Sequence, residues 1–289
     1  MPRPSLLLAA GFLALAAIGC APESDAPTTA ATGAASSASD PCAKDQLKLI
    51  TPGKLTIGTD KPAYEPWFKD DNPANGQGFE GAVAKAVATG MGFTPEEVVW
   101  EVVPFDASYA PGPKKFDFDL NQVSITPERA QAVDFSEGYY TVKQAVVALA
   151  DGKFAGATSL AALKDAKIGV QVGTTALQAV QEMIQPSADP SVFNQQIDVI
   201  TALKNKQIDA IVLDLPTAFY VTAAQIDNAK IVGQFASSHA APEEFGLLFE
   251  KGNPLVGCVN KTLATLKSSG DLAKIEAEWL TATAGAPEL

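Results

Sequence analysis

Across 289 residues, 33 acidic side chains outnumber 21 basic ones and leave a formal charge of −12, which repels a phosphate backbone and offers no basic stripe to neutralise one, so nucleic acid is excluded as a partner. A hydrophobic fraction of 47% with 19% charged residues suits a globular chain long enough for one large domain or two ordinary ones. With a single histidine, His239, and no Cys/His cluster at metal spacing, no metal and no organic cofactor is expected.

Residues 1–19 have the layout of an export signal: Arg3 beside the free amine, then an apolar run from Leu6 to Ile18 that is short for a bilayer span. The run ends in Ala17-Ile18-Gly19-Cys20, which resembles a bacterial lipobox, with Cys20 as the lipidated first residue of the mature chain. An ordinary secretory signal with an incidental cysteine, or an uncleaved anchor, is the alternative. From 21 to 41 there are many Ala, Ser, Thr and Pro and almost no large apolar side chain, so burial cannot offset the entropy of ordering. This stretch reads as a flexible tether, and the folded body begins near Cys42. In an exported chain Cys42 and Cys258 are expected to form a disulfide, with two buried free thiols as the alternative.

In the body, short β-rich runs alternate with helical patterns, the signature of α/β architecture. Strands are predicted at 54–58, 98–103, 118–122, 144–149, 167–171, 210–213, 230–234 and 245–249, and helices at 81–89, 175–184, 197–204, 215–223, 254–268 and 271–280. Each half contains a strand leading through a short polar turn to a helix: DFDLNQVSITPER in the first, IDAIVLDLPTA in the second. This duplicated plan, with a Cys42 to Cys258 bridge, implies two lobes, with crossings near 145–149 and 235–240 forming a hinge.

Thr126, Pro127 and Glu128 read as the cap and first turn of a helix, and Arg129 follows at once. A cation there opposes the helix dipole at about 0.3–1 kcal/mol, which points to an anion nearby; surface pairing with Glu128 or Glu137 is the plainer alternative. A second candidate anion-binding turn is VGTTALQ, where Gly173 permits close backbone approach and Thr174 and Thr175 cap or donate; a plain capped helix is the commoner alternative. Asp214, after a buried strand, is by itself most simply an N-cap. Tyr64 and Phe105 follow strands, where a crevice forms at the carboxyl ends of an α/β sheet. Trp67 and Phe68 suit the core equally well, and Asp60 sits in a strand-end turn.

GTDKPAYEPWF, SITPERAQAVDFSEGYY, GVQVGTT and IDAIVLDLPTA, in that order behind a lipobox, resemble the family 3 extracellular solute-binding proteins, the amino-acid receptors of bacterial ABC importers. The resemblance spans about 54–280 and implies a two-lobed periplasmic-binding-protein-like fold of type II, with two hinge crossings and a ligand cleft between the lobes. It implies lobe 1 at 42–144 plus 238–289 and lobe 2 at 145–237, behind a signal at 1–19 and a lipidated linker at 20–41.

In such a protein Arg129, helped by Ser124, grips the ligand α-carboxylate together with Gly173, Thr174 and Thr175. Asp214 takes the α-ammonium, while Tyr64 and Phe105, with Trp67 nearby, sandwich the side chain. Where many members have glycine and a small residue, this chain has Asn121 and Gln122, whose amides are placed to reach the pocket; with Asp60 they favour a polar or cationic ligand. The resemblance further implies a monomeric, non-enzymatic lipoprotein outside the cytoplasm, anchored through Cys20 and delivering an L-amino acid to a permease and its ATPase subunits. The alternatives are a dehydratase-like enzyme on the same fold, with Glu80 as candidate acid, and a ligand-sensing surface lipoprotein.

Overall fold

The computed structural model describes residues 40–238, 241–280 and 285–289; the export signal, Cys20 and His239 lie outside these. The body opens with strand β1 (Leu55–Thr59), helix α1 (Phe79–Gly90), strand β2 (Val98–Val102), a helical turn α2 (Phe105–Ser108) and strands β3 (Phe118–Asp119), β4 (Val133–Phe135) and β5 (Tyr140–Val142). Strand β6 (Gln144–Leu149) begins a second α/β unit: β7 (Ile168–Gln171), α3 (Thr175–Ala179), β8 (Ser191–Phe193), α4 (Gln196–Lys204), β9 (Ala210–Asp214), α5 (Leu215–Tyr220) and β10 (Ala229–Phe235). The chain then returns through β11 (Glu243–Phe245) and β12 (Leu248–Glu250) to α6 (Leu255–Ser268) and α7 (Asp271–Trp279).

Two five-stranded sheets result, ordered β2-β1-β3-β12-β4 and β10-β6-β9-β7-β8, with β5 and β11 pairing as a separate two-stranded ribbon. The fold is therefore a two-lobed α/β fold of type II, with two crossings between lobes. Strands β1, β2 and β3 run parallel, as do β7, β8 and β9, while β12, β6 and β10 pair antiparallel with their neighbours. Antiparallel pairing of β5 with β11 and of β6 with β10 lays the two crossings side by side.

Why β6 reads as a continuous apolar run is plain from its packing. Val146 and Ala148 face a cluster with Ala176 and Ala179 of α3, while Ala145, Val147 and Leu149 face Val199 and Leu203 of α4 and Ala218 of α5. Helices cover both faces, so the usual apolar/polar alternation is absent. In the other lobe, Leu55 and Ile57 of β1 join Trp67, Phe68, Phe79, Phe118, Phe245 and Phe249 in one core, against which α6 contributes Leu255, Val259 and Leu263.

Several predicted elements differ in form. The strand expected over 118–122 pairs only at Phe118 and Asp119, because Gln122 turns to φ 50°, a left-handed conformation that leaves the sheet. The run 245–249 is divided between two partners, since β11 pairs with the crossing strand β5 and β12 with β3 and β4. The helices beginning at Thr175 and Leu215 each end in a π-helical turn, Val180–Ile184 and Val221–Gln225. The last residues also depart from the expected assignment of 238–289 to lobe 1. Gln234 of β10 donates its backbone N–H to Pro287 O (2.7 Å) and accepts from Leu289 N (3.0 Å), and Leu289 packs on the face of Gly233, so the tail lies along the second sheet.

Cys42 and Cys258 are bonded, tying the start of the body to α6 across 216 residues of sequence. A link that closes so long a loop restricts the unfolded chain strongly, and its removal typically costs about 2–5 kcal/mol. Replacing both cysteines by serine should lower the unfolding free energy by that amount in a denaturant titration. A midpoint that neither this double substitution nor a reducing agent moves would contradict the bridge.

Candidate functional site

A cavity lies between the two sheets, at the carboxyl ends of β1, β7 and β9, where open α/β sheets leave room for a ligand. One wall consists of Asp60, Tyr64, Phe105, Asn121, Ser124 and Arg129; the other consists of Gln171, Thr174, Thr175, Gln195 and Asp214.

Arg129 is 8% exposed. Its Nη1 donates to Ser124 O at 2.8 Å and its Nη2 to Gly173 O at 2.9 Å, so its guanidinium touches a backbone carbonyl from each lobe. It also lies over the rings of Tyr109 and Phe105, 4.7 and 5.4 Å from their centroids, where planar stacking and cation–π attraction favour arginine over lysine. Burial pulls its pKa down, opposed by Tyr109, Glu243 and Asp214, but a guanidinium remains charged in a protein.

The expected helix is not what places this cation. Residues 129–131 form a single 3-10 turn, with Thr126 Oγ1 accepting from Arg129 N at 3.2 Å. One such turn has no sizeable dipole to oppose, and the constraint on Arg129 is burial. The surface pairing is also ruled out, since Glu137 pairs with Lys267 and Arg129 is enclosed.

Gly173 has φ +71°, and a Cβ there would come within 2.3 Å of Tyr109 Oη, so both its backbone form and the close approach of the lobes require glycine. Thr174 caps α3: its Oγ1 accepts from Leu177 N at 3.2 Å and donates to Gln171 O at 2.8 Å. Thr175 Oγ1 donates to Glu243 Oε1 at 2.5 Å, and Ser124 Oγ donates to the same oxygen. Gln144 Nε2 reaches both Glu243 Oε2 (3.2 Å) and Asp214 Oδ1 (2.9 Å).

Asp214 stands at the N-cap position of α5 without capping it, which leaves its carboxylate to the cavity. Burial first, then the neighbouring Glu243 charge, pushes its pKa up to about 8. Asp60 Oδ1 accepts from Lys61 N at 2.7 Å and Oδ2 from Phe105 N at 3.3 Å, and burial raises its pKa. Burial likewise raises Tyr64 to about 12, keeping that phenol neutral.

Among the two expected amides, Gln122 is held by Glu80, which accepts from its backbone N–H (2.8 Å) and its Nε2. Asn121 lines the cavity, and its Nδ2 is buried without a hydrogen-bond partner. Trp67 is a correction. It is 0% exposed, packs edge-on to Phe79, Tyr140 and Phe245, and donates Nε1–H to Thr217 Oγ1 at 2.8 Å, so it belongs to the core. Glu80, the candidate acid of a dehydratase, is fully buried beneath Gln122 and Tyr139 and does not line the cavity.

Several contributors escape sequence reasoning: Gln171 and Gln195 on the cavity wall, and Tyr109, Gln144 and Glu243 around it. Tyr109 lies in the stretch between Phe105 and Lys114, where no regular pattern marks it. Glu243 meets Ser124 across 119 positions, a contact that only the return crossing creates.

The model of the bacterial extracellular solute-binding proteins, family 3, matches residues 55–282. The arginine-binding extracellular protein ArtP of Bacillus subtilis is 30% identical over 233 residues, 79% of this chain and 86% of that protein. A probable histidine-binding protein of Campylobacter jejuni is 31% identical over 225 residues, 75% of this chain and 80% of that one. An ancestral arginine-binding protein bound to arginine superposes with a TM-score of 0.66 at 33% identity, covering 79% of this chain and 98% of its own. The ancestral amino acid-binding protein AncCDT-1, a precursor of cyclohexadienyl dehydratase, gives 0.64 at 31% identity over 78% of this chain and 95% of its own. With the family model spanning most of the body and the two-lobed fold in place, the chain belongs to the bacterial extracellular solute-binding proteins, family 3.

Proposed function

We propose that this protein is the extracytoplasmic receptor of an ABC importer, closing over one L-amino acid with a cationic side chain and presenting it to the permease and its ATPase subunits. The observation that carries the reading is a buried cation, Arg129, and a carboxyl group, Asp214, that line one cavity from different lobes. An α-amino acid at neutral pH presents a carboxylate and an ammonium at fixed separation. Bridging those two side chains makes contacts that exist only when the lobes are together, which shifts the population toward the closed form.

Arg129 takes the carboxylate, with the donors of Ser124, Gly173, Thr174 and Thr175 around it, and Asp214 takes the ammonium. Asp60, between Tyr64 and Phe105, receives the distal cation, and Asn121 Nδ2 donates to any acceptor on the ligand. Lys61, the other cation on the cavity wall, is turned to Asp71 at 3.3 Å. The remaining charges favour a ligand with net positive charge, in line with the arginine- and histidine-binding relatives.

The reading is of a binding protein rather than an enzyme, working as a monomer anchored through Cys20. Its first lobe would be 42–144 with 238–280, and its second 145–237 with the tail from 285 packed on it.

Arg129→Ala should weaken L-arginine binding by about 2–5 kcal/mol, the usual loss when one member of a buried charge pair is removed. Isothermal titration calorimetry measures it, and an unchanged affinity would remove Arg129 from the ligand.

Because Asp214 is raised to about 8, its neutral form favours the ligand-free fold. That contribution is complete below the unfolded value near 3.8 and is lost as pH rises through about 8. An ammonium ligand needs the ionised form, so binding at pH 6–7 should release a proton, and affinity should tighten toward pH 8 by at most roughly tenfold per unit. Calorimetry in buffers of different ionisation heat reads this release, and Asp214→Asn should abolish it. Binding that takes up no proton, releases none and is level from pH 6 to 8 would contradict the role.

A further inference from the structure

We propose that Glu243 is an internal competitor for the ligand carboxylate, a side chain that holds the site's hydroxyl donors and joins the two lobes until a ligand displaces it. The inference rests on the carboxylate reading of Ser124, Thr175 and Arg129 given above. It begins with the supply of protons. A serine or threonine hydroxyl has one hydrogen to donate, and those of Ser124 and Thr175 both go to Glu243 Oε1. The hydroxyls best placed for a ligand carboxylate are therefore already committed to a carboxylate belonging to the chain.

The contact also spans the crossing. Ser124 lies between β3 and β4 in the first lobe, Thr175 opens α3 in the second, and Glu243 begins β11 on the returning segment. One carboxylate thus joins all three, beside the Arg129 contact to Gly173 O. Through Gln144 Nε2 it is also linked to Asp214, so both ends of the zwitterion site are tied to one side chain. Glu243 is only half-buried, so its carboxylate has solvent to move into when a ligand carboxylate takes its place. Its strand β11 is three residues long and pairs with β5 through Glu243 and Val142, so the displacement asked of it is a rotation of the side chain and not a shift of the strand.

A displaced competitor has a definite signature. Removing it should strengthen binding of ligands that carry a carboxylate more than binding of those without one. Two pairs of probes differ in that group alone: L-arginine with agmatine, and L-histidine with histamine. Titration of the purified protein and its Glu243→Ala variant should show the amino acids binding roughly tenfold tighter to the variant, the scale of one hydrogen bond to a charged group. Agmatine and histamine should gain distinctly less than the amino acids, since the loss of Glu243 reaches them only through the easier ionisation of Asp214.

Glu243→Gln keeps the shape of β11 and an acceptor oxygen but no charge, and should give a smaller gain in the same direction; it also stands in if the alanine variant folds poorly. Amino-acid affinity that is unchanged or weaker in both variants, while Arg129→Ala still loses binding, would overturn the proposal and leave the carboxylate reading intact. If Arg129→Ala binds the amino acids as well as the unaltered protein does, or if none of the proteins binds any probe, the carboxylate reading fails and this inference with it.

Discussion

The enclosed guanidinium of Arg129 is the constraint around which the site is arranged. Removing a cation from water is costly unless its hydrogen-bonding capacity is met. Here the cost is offset by two backbone carbonyls, Ser124 O and Gly173 O, and by the faces of Tyr109 and Phe105. Two of five donors are thereby engaged, and the charge itself is neutralised by no carboxylate in direct ion-pair contact among the described residues. A bidentate carboxylate suits what remains, since paired N–H···O bonds to a guanidinium are the strong, directional kind.

The scaffold serves this arrangement. Parallel strands deliver their carboxyl ends to one cleft, with Thr59 ending β1 and Asp60 next to it, Gln171 ending β7 and Gly173 just beyond, and Asp214 at the end of β9. The antiparallel strands β6, β10, β5 and β11 carry the crossings, so the closure proposed above would be a motion about a narrow ribbon rather than a repacking of either core. Both cores are closed and apolar, which leaves the interface between them as the compliant part.

Much of the fold is legible in the sequence because it depends on local pattern. The run QAVVAL reads as a fully buried strand and is one, and the helical spacing of Ile197, Ile200 and Lys204 leads straight into the buried strand β9. Arg129 stands out in the sequence through a helix-dipole argument, yet the structure has only a 3-10 turn there; the residue is unusual because it is buried. What local pattern does not contain is the part made by long-range return. Glu243, Gln144 and Tyr109 reach the site from segments whose own periodicity is that of an ordinary strand or loop, and the division of 243–250 into two strands depends on partners far away in sequence. Trp67 shows the converse: adjacent aromatics in a loop look like a binding wall, but the indole N–H finds Thr217 and the ring fills the core.

Around the cavity, burial raises the pKa of Asp60 and Asp214, and beneath it that of Glu80 to about 7, so a cationic guest would relieve an environment that resists negative charge. The most direct measurement of this account is the melting temperature of the purified protein against the common amino acids. A cationic amino acid at about 100 times its dissociation constant should add roughly 2.7 kcal/mol, a shift of several degrees, and exceed every neutral or acidic one. A cooperatively folded, ligand-free sample that responds to none of them, or most strongly to aspartate or glutamate, would contradict it.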